Sequence, residues 1–343
     1  MRVLILHNQV GADDPALDRD VLDQVEAVGA ALDRLGHRCT VTSCTLDLAA
    51  VDRTLDHLRP DLVFNLVESL GGADRLIHLA PALLEARGIP CTGSSSDVLR
   101  RTSHKTHAKE DMSAAGIPTP PTLAQWPGAV AGRVPAGSRW IVKSTWEHGS
   151  RGLGDDVVLE PGTDVGEAMA RLAGRLGGEC LAEPFLDGRE LNLSLLETPQ
   201  GPRVLPPAEI EFVGFPQDKP RIVGYAAKWD EGSFESQHTP RTFDFPASDA
   251  PLVEQVAEIA RLCWATLGLR GWARVDFRVD REGHPWVLEV NANPCLAPDA
   301  GFPAALERGG LAFDDAIAAI CDAALRGRAV LEPAVAGPLL TVP

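Results

Sequence analysis

A chain of 343 residues, 45% hydrophobic and 23% charged, is long enough for two or three units with sizeable cores. Its formal net charge of −16 argues against a nucleic-acid partner, because phosphate backbones need a basic footprint. No stretch approaches the roughly 18 apolar residues of a membrane span, and "VLIL" after Met1-Arg2 is too short for a signal-peptide core, so the expected location is the cytoplasm.

Residues 1 to about 97 alternate strand-like and helix-like runs. They are "RVLILHN", the amphipathic "DRDVLDQVEAVGAALDRLG", "HRCTVTSC", a helix near "LAAVDRTLDHLR", "DLVFNLVE", a helix ending at "LLEARG", and "IPCTGSS". Strands alternating with helices of about ten to fifteen residues imply a parallel sheet covered by helices, a small α/β unit over 1–97. Residues 98–178 hold a helix containing "SHKTHAKEDMSAAG", a linker-like "IPTPPTLAQWPGAVAGRVPAG", and a strand "RWIVKS" entering "TWEHGSRGLGDDVVLE". Residues 179–343 carry "ECLAEPFLDGRELNLSLLE", "RVLPPAEIEF", a helix from about Asp249 to Leu267 and a hairpin, which together suggest a mixed sheet with helices against it. The final "GRAVLEPAVAGPLLTVP" lacks a helical period and is expected to fray.

The hairpin is the most informative stretch. In "WARVDFRVD", Val275, Phe277 and Val279 alternate with Arg274, Asp276 and Arg278. In "WVLEVNANP", Trp286, Leu288 and Val290 alternate with Val287, Glu289 and Asn291. With Glu282-Gly283 as a two-residue loop, Asp276 falls opposite Glu289 and Arg274 opposite Asn291. Opposed side chains sit roughly 5 Å apart. Two carboxylates at that distance repel unless a proton or a cation lies between them. Two carboxylates and an amide oxygen suit magnesium at a nucleotide site. The same pattern also suits a solvated face that keeps the hairpin soluble, so it needs corroboration.

Other stretches supply it in part. Lys143 ends a β-branched strand and enters a loop with Gly149, Gly152 and Gly154, whose backbone N–H groups can turn toward a phosphate; a surface turn is the alternative. The connector Glu183-Pro184-Phe185-Leu186 offers backbone groups beside an apolar ring that can grip an adenine edge, and Glu190, four residues on, can take ribose hydroxyls; an ordinary strand entry is the equal alternative. Lys105 and Lys228 add separate cations. The seven cysteines (39, 44, 91, 180, 263, 295, 321) form no C-x-x-C pair, which argues against a disulfide framework or a zinc site.

Taken in order, Lys105, Lys143 with its glycine loop, the Glu183–Glu190 connector, Lys228, Arg274, Asp276, Glu289 and Asn291 resemble the ATP-grasp superfamily, and within it the D-alanine–D-alanine ligases. The likeness covers about residues 1 to 325 and is most specific in "GWARVDFRVD…VLEVNANP" and "VKSTWEHGSRGLG". It implies an α/β (α+β) architecture: a Rossmann-like parallel amino-terminal domain, a small central α+β domain and a carboxy-terminal mixed-sheet domain, with ATP held between the last two. It also implies that Asp276, Glu289 and Asn291 bind magnesium, with manganese as a substitute, and that Lys105, Lys143 and Lys228 contact ATP phosphates. Pro184 and Leu186 would face adenine with Phe185 between them, Glu183 its exocyclic amine, and Glu190 the ribose. Arg274, Ser150 and Lys228 would act in catalysis, Arg274 on the oxyanion and the transferring phosphate. The implied chemistry is an acyl phosphate made from a substrate carboxylate, then amide formation with an amine.

Departures from the family concern the substrates. The carboxylate that holds the first amino acid's ammonium falls on Asp18, the tyrosine after the loop lysine becomes Trp229, and the glycine facing the second substrate becomes Cys295. A Cys295 nucleophile is conceivable, but a reshaped second pocket is the expected consequence. His78 and His148 are given no catalytic role. The expectation is therefore a ligase for small-molecule carboxylate and amine substrates, with a homodimer by analogy. The alternatives are a ligase that closes a ring within one molecule and a nucleotide-binding module without ligation.

Overall fold

The computed structural model describes residues 1–124 and 138–331, with the side chains of 124 and 328–331 excepted. Most of the expected linker and the tail beyond 331 therefore lie outside the described residues. The amino-terminal unit runs β1 (Arg2–Asn8), α1 (Ala16–Arg34), β2 (Arg38–Cys44), α2 (Leu48–Leu58) and β3 (Leu62–Leu66). Its strands pair in parallel in the order β2-β1-β3. β1 and β3 are apolar on both faces because helices cover both. On α1, Val21, Gln24, Val28, Ala31 and Leu32 recur at helical spacing and are buried. The expected strand at "IPCTGSS" is reduced to one isolated parallel bridge, Val63 to Cys91.

α3 (Leu79–Ala86) is followed by α4 (Ser96–Ser103) and α5 (Lys105–Ala114). The single helix expected around "SHKTHAKEDMSAAG" is thus two. His104 leaves the helical region (φ −87°, ψ 96°) and its Nδ1 accepts from His107 N at 3.2 Å, capping the second helix. That break places Lys105 on the first turn of α5.

β4 (Leu123–Ala124), β5 (Trp140–Ser144), β6 (Val158–Leu159), α6 (Val165–Leu172) and β7 (Cys180–Pro184) build a four-stranded antiparallel sheet in the order β4-β7-β5-β6. β7 pairs with β4 and β5 here, so this sheet reaches past the division expected at 178/179. The remainder comprises β8 (Arg189–Thr198), β9 (Gly201–Val204), β10 (Ala208–Ile210), α7 (Tyr225–Trp229), α8 (Phe234–Gln237), β11 (Arg241–Thr242), α9 (Ala250–Leu267), β12 (Trp272–Val279), β13 (Pro285–Asn291), α10 (Gly301–Arg308) and α11 (Phe313–Leu331). Its six-stranded sheet has the order β11-β10-β8-β12-β13, with β9 beside β8. Its described pairings are all antiparallel, so the two strand directions separate by sheet. Residues 327–331 continue α11 where fraying was expected.

One face of the large sheet is core. Leu191, Leu193, Val275, Phe277, Val287 and Val290 pack on Val256, Ala260 and Cys263 of α9 and on Ala108 and Met112 of α5. A second core joins Val21 and Val28 of α1 to Phe302 of α10 and Ile317 and Ile320 of α11, fixing α1 against the segment that follows β13.

Candidate active site

The opposite face of that sheet is polar and borders a cavity of about 610 Å³. The registers Asp276↔Glu289 and Arg274↔Asn291 are as expected, but by a different route. The turn holds Arg281, Glu282 and Gly283 between Asp280 and His284, with Gly283 in the left-handed region (φ +88°). A bulge after Asp276 then leaves Leu288 without a partner and restores the register. The expected faces change accordingly. Val287 and Val290 are core, whereas Leu288 lines the cavity and Trp286 donates from Nε1 to Asp280 Oδ2 at 2.9 Å.

Charges on this face are paired. Arg274 grips Asp276 with Nε and Nη2 at 2.7 and 2.8 Å, and Asn192 Nδ2 donates to Asp276 Oδ1 at 2.8 Å. Lys105 Nζ donates to Glu147 O at 2.7 Å and lies 3.8 Å from Glu289 Oε2. Burial opposes ionisation of Glu289, yet Lys105, His148, Lys228 and Arg274 bring it down to about 2. Burial also lowers Lys105 and Lys228 from the usual lysine range, with Glu289 opposing in both. The solvated-face alternative does not fit, since Asp276 and Arg278 are buried.

Glu183, 1% exposed, sits between Lys143 Nζ at 2.5 Å and Lys109 Nζ at 3.0 Å. Burial works to raise its pKa, and the two lysines outweigh it. Glu190 meets Arg278 at 2.8 Å. Pro184, Phe185 and Leu186 line the cavity beside them.

The glycine loop is fastened on several sides. Gly149 (φ +62°) and Ser150 (φ +61°) are left-handed, and a Cβ at 149 would stand 2.4 Å from Leu17 Cδ1. Ser150 Oγ donates to Val223 O at 2.8 Å, Trp229 Nε1 to Gly149 O at 2.9 Å, and His148 N to Asp74 Oδ2 at 2.7 Å. Arg151 bridges Asp18 at 2.5 Å and Glu147 at 3.1 Å. Asp18, expected to meet a substrate ammonium, therefore has its charge matched by Arg151, and Trp229 holds the loop.

Beyond Asn291, the Cys295 thiol lies 2.9 Å from Asp20 Oδ2, and its sulfur accepts from Ala297 N at 3.3 Å. Burial, then Glu68 and Asp20, push its pKa far up, so it is a thiol and not a thiolate nucleophile. Glu68 accepts at Oε1 from Gln24 Nε2 at 2.9 Å. His148 lines the cavity, and burial followed by repulsion from Lys105 lowers its pKa. The His78 ring bonds to Arg75 O at 3.0 Å.

Sequence reasoning missed Lys109, Arg151, Asp20 and Glu68. Lys109 stands four residues from Lys105 on one helix face, a signal available in "KTHAK". Glu68 stands just past the carboxyl end of β3, where open α/β sheets place ligands. Among the described residues no group of three or more His, Cys, Asp or Glu is placed to hold a metal ion, so a metal here would rest on two carboxylates and an amide.

Comparisons with known proteins identify the family and the fold. A family model described as the D-ala D-ala ligase C-terminus matches residues 154–322. A D-alanine–D-alanine ligase of Moorella thermoacetica is 32% identical over 326 residues, 91% of this chain and 96% of that protein. An uncharacterized protein, y4sG, of Sinorhizobium fredii is 30% identical over 312 residues, 88% of this chain and 87% of that one. The crystal structure of D-alanine–D-alanine ligase from Bacillus anthracis complexed with ATP shares the fold, with a TM-score of 0.72 at 19% identity over 96% of this chain and 99% of that one.

Proposed function

We propose that this chain, which belongs to the D-alanine–D-alanine ligase family of ATP-grasp enzymes, joins an amino acid or another carboxylic acid to an amine outside the D-alanine pair. ATP-dependent carbon–nitrogen ligation comes with the family; the substrates and residue roles are our assignment. The observation that carries it is the convergence of Lys105, Lys143, Lys228, Arg274, Asp276 and Glu289 on one cavity.

In this reading Asp276, Glu289 and Asn291 hold magnesium, and their oxygen donors on one sheet face fit a hard cation. When bound, the ion neutralises charge on the transferring phosphoryl group. Lys105, Lys143 and Lys228 take the phosphates, and Glu183, Pro184, Phe185 and Leu186 take the adenine between the small and large sheets. Glu190 takes the ribose. Arg274 stays charged against its burial because Asp276 and Glu289 face it, and it can steady the oxyanion formed when the amine attacks. Cys295 in place of glycine narrows the amine side, which supports substrates other than the D-alanine pair.

No helix among the described residues is long and apolar enough to cross a membrane. We assign the enzyme small-molecule partners, a cytoplasmic location and a homodimeric state, the last by analogy. The test is ADP release with Mg-ATP across D- and L-amino acids and other carboxylates, with hydroxylamine present. A trapped hydroxamate establishes carboxylate activation and identifies the acid. ATP binding without ADP or hydroxamate from any acid would leave a nucleotide-binding module. A product lighter than its single substrate by one water would mark ring closure.

A further inference from the structure

We propose that Glu68 takes the proton from the attacking amine, a role that rests on the ligase reading above. Most carboxylates lining the cavity stand beside a lysine or arginine: Asp18 and Glu147 beside Arg151, Glu183 beside Lys109 and Lys143, Glu190 beside Arg278, Asp276 beside Arg274 and Glu289 beside Lys105. Among the described residues no such cation pairs with Glu68, which lines the same cavity next to Asp20 and Cys295.

Its position is fixed by a directed chain. Leu296 N donates to Gln24 Oε1 at 3.0 Å, so the Gln24 amide must present Nε2 to Glu68 Oε1 at 2.9 Å. Glu68 N donates to Asn8 Oδ1 at 3.2 Å. The carboxyl is thereby tied to the segment that carries Cys295, on the amine side of the site.

Apart from the Gln24 amide, the titratable groups facing it are acids: Asp18 and Asp20 from α1, Asp74 from the turn after β3, and Cys295 from the loop after β13. Burial, with those carboxylates, pushes Glu68 up to about 8 against the Gln24 hydrogen bond. Its protonated form is favoured far more than that of an ordinary carboxyl. The step starts from the ionised form of Glu68: an amine enters as ammonium beside the carboxylate, an N–H bond breaks and an O–H bond forms on Glu68. The freed lone pair attacks the acyl carbon, the C–N bond forms, and the C–O bond to phosphate breaks to release inorganic phosphate.

The experiment uses the D- or L-amino acid pair that gives the most ADP release, and compares amide with hydroxamate yield in wild type, Glu68→Gln and Asp20→Asn. Glu68→Gln should lower amide formation by about 10²-fold or more. Hydroxylamine arrives already neutral and should restore turnover. The acid limb of the wild-type amide pH profile should be missing from the hydroxylamine profile. Equal loss of amide and hydroxamate in Glu68→Gln would overturn the proposal, as would an unimpaired amide rate or a selective loss that follows Asp20→Asn instead. Wild-type protein that yields neither ADP nor hydroxamate would fail the ligase reading itself, a separate outcome.

Discussion

The two ends of the cavity are charged by opposite logic. Around Lys105, Lys143 and Arg274, acids and bases are matched before any ligand arrives, and Glu289 is held down to about 2. Around Cys295, Asp20 and Glu68 have no lysine or arginine among the described residues, and burial raises both. In the proposed reading, a matched end exchanges its internal partners for phosphates and a divalent cation. An unmatched end waits for a cation and favours the proton until one comes.

The largest effect is expected where matching is densest. Asp276→Asn or Glu289→Gln should remove magnesium-dependent ADP formation by about 10³-fold, while circular dichroism reports an unchanged fold. Near-normal turnover in both variants would sink the metal assignment. Next comes Lys109→Met, which leaves Glu183 with Lys143 alone. Breaking a buried pair of this kind costs about 3 kcal/mol. Urea denaturation should show that loss, together with weaker ATP binding, because Lys143 can no longer leave Glu183 for a phosphate without stranding a buried charge. Unchanged stability would mean that Lys109 is dispensable to the cluster.

The legibility of the site follows the same division. Parity along β12 placed Arg274, Asp276 and Arg278 on one face, and the facing of Asp276 and Glu289 was readable. It survived only because a longer turn and a bulge offset each other. The bulge is not readable, so alternation alone groups Trp286 and Leu288 with Val290, whereas the structure puts Val287 and Val290 in the core. The broken helix at His104 carries no proline or glycine; its cap is a histidine ring packed edge-on against Trp146, a tertiary contact. Lys109 and Glu68 acquire meaning only from partners on other elements, Glu183 in one case and Gln24 in the other. Periodicity finds faces, but it does not find pairs that span sheets.

A smaller effect is expected at the junction between the glycine loop and α1. Arg151→Ala frees Asp18 and Glu147 and removes one of the loop's fastenings, leaving those from Ser150, Trp229 and His148. Because the Arg151 side chain is 29% exposed, the loss should be about 1 kcal/mol or less. It should appear as a several-fold higher KM for ATP with kcat little changed, and added salt should impose part of the same change on wild type. A collapse of kcat would instead give Arg151 a direct place in the chemistry.

The last and smallest effect separates the two ends by pH. Glu289, lowered in the folded state, contributes stability above the ordinary glutamate value of 4.5 and loses it as pH falls toward about 2. Glu68 does the reverse. Between 4.5 and about 8 the folded chain holds a proton there that the unfolded chain has released, so stability falls as pH rises through that window. A neutral amide at 68 has no proton to give up. The melting temperature of Glu68→Gln should therefore match wild type near the acid edge of the window and exceed it by about 2 °C or more at the alkaline edge. Parallel melting curves across that range would mean that Glu68 ionises like a solvated carboxyl, and the contrast between the two ends would lose its clearest member.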